Sequence, residues 1–240
     1  MSEPILQVKD ASVAFGDNLA LSHVSFEVQE GESIAIIGPN GSGKTVLFRA
    51  LIGALSYSGE IIWRRGIRVG YVPQRIDLER SLPLTLRDFL YVKAGVIKGS
   101  DDAQVREAME LVRLPDNMLD KKLGSLSGGQ LQRALIAFAL VGHPNVLLFD
   151  EPTAGVDLPR EEQLYETIHR LQREKGLTLL LVSHDLHLVY RHSSKVLCLN
   201  RDLVCFGLPE DVMTPDKLHA LYGERGFYEH LHGRHEGHEN

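Results

Sequence analysis

Gly38-Pro39-Asn40-Gly41-Ser42-Gly43-Lys44-Thr45 satisfies the pattern G-x-x-x-x-G-K-[ST] at every fixed position. The glycines let backbone N–H groups turn inward and wrap a polyphosphate. A helix starting just beyond would point its positive end at the same anion. Lys44 adds a full positive charge for the β- and γ-phosphates, and the Thr45 hydroxyl suits Mg²⁺. A second candidate is the acid pair Asp150-Glu151, which ends the apolar run Val146-Leu147-Leu148-Phe149. Strand ends in α/β sheets face the ligand crevice. Asp150 is placed to hold Mg²⁺ through water opposite Thr45, and Glu151 to polarise an attacking water. A third is Leu126-Ser127-Gly128-Gly129-Gln130, where a serine and two glycines open a helix and make another anion site. One nucleotide does not need two triphosphate cradles. The economical explanation is that Ser127, Gly128 and Gly129 complete the pocket of a second copy.

The elements around these residues fit that chemistry. Ser33-Ile34-Ala35-Ile36-Ile37 and Thr178-Leu179-Leu180-Leu181-Val182 are further apolar runs, as expected for strands covered on both faces. Val46-Leu47-Phe48-Arg49-Ala50-Leu51 reads as the helix after the glycine loop. Ile5-Leu6-Gln7-Val8-Lys9 and Val24-Ser25-Phe26-Glu27-Val28 alternate as half-buried strands, with a turn at Gly16-Asp17-Asn18. Residues 84–140 show helical periodicity, with acids opening a helix at Asp101-Asp102 and Ser127 as an N-cap. Buried strands alternating with helices indicate an α/β fold with a mostly parallel sheet and a helical insert at about 84–140. From Gly223 the chain is polar and rich in histidine, and a mobile tail over 223–240 is expected after a main domain at 1–222.

Composition narrows the classes. Net charge is −6, which argues against coating DNA or RNA, so no nucleic-acid partner is expected. No segment approaches the roughly 20 apolar residues that cross a bilayer. The start, Met1-Ser2-Glu3-Pro4, lacks a signal peptide's basic and apolar regions, so any membrane role is expected to come through a partner. The two cysteines, Cys198 and Cys205, are expected to be reduced, apolar core residues of a cytosolic protein.

These motifs, in this order, resemble the ATP-binding subunits of ABC transporters over nearly the whole chain, residues 5–221. The resemblance implies a P-loop NTPase (RecA-like) core with an antiparallel β subdomain and a helical subdomain carrying the signature motif. Residues 38–45 match the Walker A loop, residues 126–130 the signature motif, and Asp150 and Glu151 Walker B and the catalytic glutamate. Phe15 matches the aromatic that stacks on adenine, where the family more often has tyrosine. Gln74, in Gly70-Tyr71-Val72-Pro73-Gln74, matches the Q-loop glutamine, whose amide can meet the metal or water. Asp157 lies in the D-loop and could tie one site to the other across a dimer. His184, in Val182-Ser183-His184-Asp185, matches the switch histidine, within reach of a γ-phosphate. The resemblance implies two copies head to tail with two ATP molecules between them, each held by one copy's glycine loop and the other's Ser127-Gly128-Gly129.

The D-loop reads Ala154-Gly155-Val156-Asp157, where many members have Ser-Ala-Leu-Asp. Gly-Val-Asp is familiar in the subfamily importing divalent metals, and the resemblance to its zinc-uptake ATPases extends to Leu82-Pro83-Leu84-Thr85, Leu186-His187-Leu188-Val189 and Val196-Leu197-Cys198-Leu199-Asn200. His219, His230, His232, His235 and His238 are five of the 11 histidines and lie in the last 22 residues. Imidazole is a good zinc ligand, so the tail could sense or buffer Zn²⁺; a solvated tail without metal is the alternative. The resemblance implies ATP hydrolysis at the cytoplasmic face of a bacterial inner membrane, driving a separate permease fed by an extracytoplasmic metal-binding protein. Residues 74–99 are the candidate docking surface for that permease. Import of manganese or iron is the nearest alternative. A non-transport ABC ATPase on DNA or ribosomes, and a P-loop kinase, are alternatives of other classes.

Overall fold

The structure, a computed structural model, describes residues 3–74, 83–97, 101–152 and 158–232, the side chains of 158–161 and 224–232 excepted. The chain forms two units, Met1–Arg65 with Thr178–Asn240, and Gly66–Leu177.

The first unit begins with β1 (Leu6–Phe15), β2 (Asn18–Val28), β3 (Ser33–Ile37), α1 (Lys44–Leu51) and β4 (Ser58–Trp63). Strands β2, β1 and β4 make an antiparallel sheet in that order. Alternation puts Leu6, Val8, Ala11 and Val13 of β1 in the core. Sequence periodicity alone ends the first strand near Lys9, yet β1 runs on to Phe15. A register shift between Val8 and Ala11, with Asp10 at φ 53, absorbs the break in alternation. The same unit later adds β7 (Thr178–Val182), α6 (Leu186–His192), β8 (Lys195–Asn200), β9 (Asp202–Gly207), α7 (Pro209–Val212) and α8 (Pro215–His232). β3 lies between parallel neighbours β7 and β8, and β9 runs antiparallel to β8. All five residues of β3 and of β7 are buried, which is why both read as unbroken apolar runs. Beyond the break at Gly223 (φ 72, ψ 172), the backbone runs on as helix to His232. Phe227, Tyr228 and Leu231 lie at helical spacing there.

The β8–β9 hairpin corrects one expectation. Cys198 and Cys205 are not separate thiols but a disulfide. The antiparallel register sets them directly opposite, with Cα atoms 4.8 Å apart, and sequence spacing alone did not reveal that pairing.

The second unit contains β5 (Val69–Val72), α2 (Leu86–Val96), α3 (Asp102–Leu111), α4 (Gly128–Leu140), β6 (Val146–Asp150) and α5 (Leu158–Lys175). β5 and β6 are parallel, with Val72 opposite Phe149. Each helix of the middle segment starts on a sequence-coded cap. Thr85 and Asp88 form a capping box on α2, and the Thr85 bonds hold the Asp88 carboxyl below the usual carboxylate range. Asp101 caps α3, and Ser127 and Gln130 form a capping box on α4. A Cβ on Gly70 would lie 2.6 Å from the Ala139 carbonyl oxygen, so α4 sits close against β5. Parallel strands, an antiparallel sheet and the run of helices match the α/β architecture expected.

Candidate functional site

In the first unit, β3 ends at Ile37 and α1 begins at Lys44, leaving residues 38–43 as the loop between them. Two glycines are obligatory. Gly38 has φ 154, and a side chain there would run into the Leu199 carbonyl. Gly43 has φ 98, and a Cβ would sit 2.7 Å from the Ala20 carbonyl oxygen. The outer side of the loop is pinned: the Arg201 N–H donates to the Ser42 carbonyl at 2.9 Å, and the Ser22 N–H to the Arg201 carbonyl at 2.9 Å. The Lys44 side chain turns back over the loop, its Nζ donating to the carbonyls of Gly38 (2.8 Å) and Pro39 (3.0 Å). It is only 5% exposed. The Ser42 Oγ is buried and has no hydrogen-bond partner among the described residues. A buried ammonium, an orphaned hydroxyl and a cradle that a Cβ would fill fit an entering phosphate. Anionic oxygens are stronger acceptors for Lys44 than the carbonyls it now meets.

Two more predicted residues lie in this unit. The Ser183 N–H donates to the Ile36 carbonyl at 3.3 Å, so half-buried His184 leaves the sheet beside the strand end that launches the loop. Asp185 follows as the cap of α6. Phe15, the last residue of β1, is 52% exposed. Tyr222 of α8 was not foreseen. Burial pushes its phenol up to about 12, and a hydrogen bond with the Gly38 backbone opposes the shift.

In the second unit, β6 delivers Asp150 at its end, 1% exposed, where the Tyr71 hydroxyl donates to its Oδ2 at 3.1 Å. Glu151 then takes φ 48, an uncommon left-handed conformation for a non-glycine residue. The Gln74 Nε2 donates to the Glu151 Oε2 at 2.5 Å. Two side chains 77 residues apart are thus brought together, and an amide holds the carboxylate beside a strand end. Within this unit the side-chain oxygens of Gln74 and Asp150 are hard donors, of the kind that suits Mg²⁺ rather than a soft metal. Among the described residues no cluster of three or more His, Cys, Asp or Glu is gathered as a metal site.

The signature residues open α4. The Ser127 side chain accepts from the Gln130 N–H at 3.4 Å, and the Gln130 Oε1 accepts from the Ser127 N–H at 3.0 Å. A Cβ on Gly128 or Gly129 would meet nothing within 4 Å. This helix N-terminus is open on its outer face. A cavity of about 270 Å³ beside it is lined by Ser127, Gly129, Gln130 and Arg133 together with Gln163 and Thr167 of α5. Asp157, His235 and His238 lie outside the described residues, and so do the side chains of His230 and His232. No described helix is long and apolar enough to cross a membrane.

Residues 21–154 match the family model for ABC transporters. The chain is 41% identical over 241 residues to the zinc import ATP-binding protein ZnuC of Yersinia enterocolitica, covering 98% of this chain and 94% of that one. It is 38% identical over 235 residues to the protein of the same name from Mannheimia succiniciproducens, covering 95% and 87%. Among solved structures it is similar to cbiO1 of Clostridium perfringens, part of the ABC transporter complex cbiONQ, with TM-score 0.75, 26% identity and coverage of 95% and 98%. An ATP-binding cassette of an ABC transporter superposes with TM-score 0.79 at 24% identity, covering 92% and 99%. By the family match and by identity over nearly its full length, the chain belongs to the ABC transporter family.

Proposed function

We propose that this chain is the ATP-hydrolysing subunit of a divalent metal importer whose cargo is zinc. The observation that carries the cargo is the 38–41% identity, over almost the whole chain, to proteins named for zinc import. The reaction is ATP + H₂O to ADP + phosphate. The N–H groups of residues 40–43 and Lys44 hold the β- and γ-phosphates, Phe15 stacks on the adenine, and the Thr45 hydroxyl and the carboxylate of Asp150 would hold Mg²⁺ with the amide of Gln74. Mg²⁺ held there would supply charge neutralisation at the phosphates. Glu151 orients the attacking water and accepts its proton, and its bond to Gln74 fixes the carboxylate for that role. His184 meets the γ-phosphate. Ser127, Gly128, Gly129 and Gln130 of a second copy, arranged head to tail, close over the nucleotide. Asp157 links the two sites.

The membrane path belongs to a separate permease, with the chain as a peripheral subunit on the cytoplasmic face of a bacterial inner membrane. An extracytoplasmic metal-binding protein delivers the ion. The permease docks on the surface from Gln74 to α2, where Val92 and Val96 are 62% and 81% exposed on a helix that buries Leu86, Leu90 and Ala94. ATP hydrolysis by the assembled transporter, measured with the binding protein loaded in turn with Zn²⁺, Mn²⁺ and Fe²⁺, should rise several-fold with Zn²⁺. Stimulation by Mn²⁺ or Fe²⁺ in place of Zn²⁺ would sink the cargo assignment and leave the ATPase intact.

The histidines of the tail, His230, His232, His235 and His238, are proposed to take Zn²⁺ through their imidazoles. Calorimetric titration of Zn²⁺ into the full chain should show binding that a chain ending at Tyr222 lacks. Equal heats from the two would remove the tail from the account.

A further inference from the structure

Lys93 is the least ordinary side chain of the second unit outside the site. It lies on α2, in the stretch assigned above to permease docking, one residue from exposed Val92 and three from exposed Val96. Its own side chain points the other way. The Nζ donates to the carbonyls of Phe138 (2.6 Å) and Ala139 (2.9 Å) and lies 5.0 Å from the centre of the Phe138 ring. Those carbonyls are in the last turn of α4, where backbone acceptors have no partner within the helix and the helix dipole is negative. Phe89, one turn before Lys93, stacks on the same Phe138 with ring centres 4.4 Å apart. One cation and one aromatic pair therefore fasten α2 to the C-terminal end of the helix whose N-terminal end is Ser127.

A helix of 13 residues is stiff along its axis, so a shift at one end moves the other. We propose that Lys93 is a positioning residue that makes α2 and α4 move as one body, carrying a push by the permease on Val92 and Val96 to the signature residues at Ser127. The inference rests on the docking reading given above. An ordinary core contact would need only an apolar side chain here. A buried ammonium grips carbonyls directionally, which resists sliding of one helix along the other.

The charge state of the strut gives a second handle. Burial pushes the Lys93 ammonium down to about 8. Burial is the sole cause, with no neighbouring charge contributing. On the packed helix α3, Lys175 lowers Glu107, and Glu110 is the remaining acid. Thr85 hydrogen bonds lower Asp88, and hydrogen bonds from Tyr91 and Arg106 lower Asp102. Asp120 and Asp102 raise Arg87 and Arg106 respectively, and Asp102 raises Tyr91. Arg133 is the charged residue of α4. Above about pH 8 the grip on the two carbonyls weakens.

The test uses the assembled transporter and the subunit alone. Lys93→Met should lower the permease-stimulated kcat for ATP about tenfold, the scale of one lost charge-assisted hydrogen bond, with KM for ATP unchanged. The subunit's basal ATPase should stay within about twofold. Lys93→Arg, which keeps two donors, should restore stimulation and hold it flat where the wild type declines above pH 8. If Lys93→Met does not fold, Lys93→Gln, neutral with one amide to offer, should give partial stimulation. Full stimulation in Lys93→Met or Lys93→Gln would overturn the proposal, and so would equal loss of basal and stimulated rates. A photo-crosslinker on Val96→Cys tests the docking reading separately: absence of any crosslink to the permease refutes that reading, whereas crosslinking with full stimulation in Lys93→Met refutes the strut alone.

Discussion

Glu151→Gln should bind ATP normally and turn it over on the order of a thousandfold more slowly, the scale of losing a positioned general base. The change is isosteric, so the left-handed backbone at 151 (φ 48) and the neighbouring strand end at Asp150 need not move. What it removes is the negative charge that can take a proton from water. The Gln74 amide, now 2.5 Å from the carboxylate, would face another amide and could still find its oxygen. Binding and chemistry therefore separate. The phosphate loop, Lys44 and the pinned carbonyl of Ser42 belong to the other unit and are untouched. With ATP held and not cleaved, the two copies should remain closed, and size-exclusion chromatography with ATP should show a dimer that the wild type forms only in passing. A variant that hydrolysed ATP at the wild-type rate would show that another group activates the water. His184, at the end of β7 beside the loop, would then be the next residue to test.

How far these residues were legible in the sequence depends on the kind of contact. Residues 38–45 were legible because the pattern fixes backbone geometry, and a glycine is demanded where the chain must take φ 154 at Gly38 and 98 at Gly43. β3 and β7 were legible because burial on both faces leaves five consecutive core residues. The cap Ser127 was legible because it is a local hydrogen bond, and Asp101 was legible as an acid opening its helix; the capping box at Thr85 was not read. Contacts set by pairing of distant segments were not legible. No local signal says that the Leu199 carbonyl closes on Gly38, that Tyr71 meets Asp150, or that the Lys93 ammonium ends on Phe138 and Ala139. The Cys198–Cys205 disulfide belongs to the same class, since it follows from the hairpin register rather than from the spacing. The Gln74–Glu151 bond was anticipated only as two motif residues, not as a contact.

Ser127→Arg should abolish hydrolysis in a symmetric dimer, and its placement in mixed dimers decides whose site it serves. Locally the cost is small. The side-chain cap of α4 is lost, about 1 kcal/mol, while the helix keeps its packing through Ala134, Ile136 and Ala137. The large effect is steric and electrostatic at an open helix end, where Gly128 and Gly129 leave room for an approaching phosphate. Suppose each ATP lies between the loop of one copy and the signature of the other. A dimer with Glu151→Gln on one copy and Ser127→Arg on its partner then concentrates both lesions in one site and leaves the other whole. A dimer with both lesions on one copy and none on the other damages each site once and should lose activity by about 10²-fold or more. If Ser127 served its own chain's nucleotide, the order would reverse, with the doubly changed copy silent and its unchanged partner working. Steady-state ATPase rates of the two purified mixed dimers, made with distinguishable affinity tags, give opposite rankings under the two arrangements. The head-to-tail dimer stands only if the split lesions are the active pair.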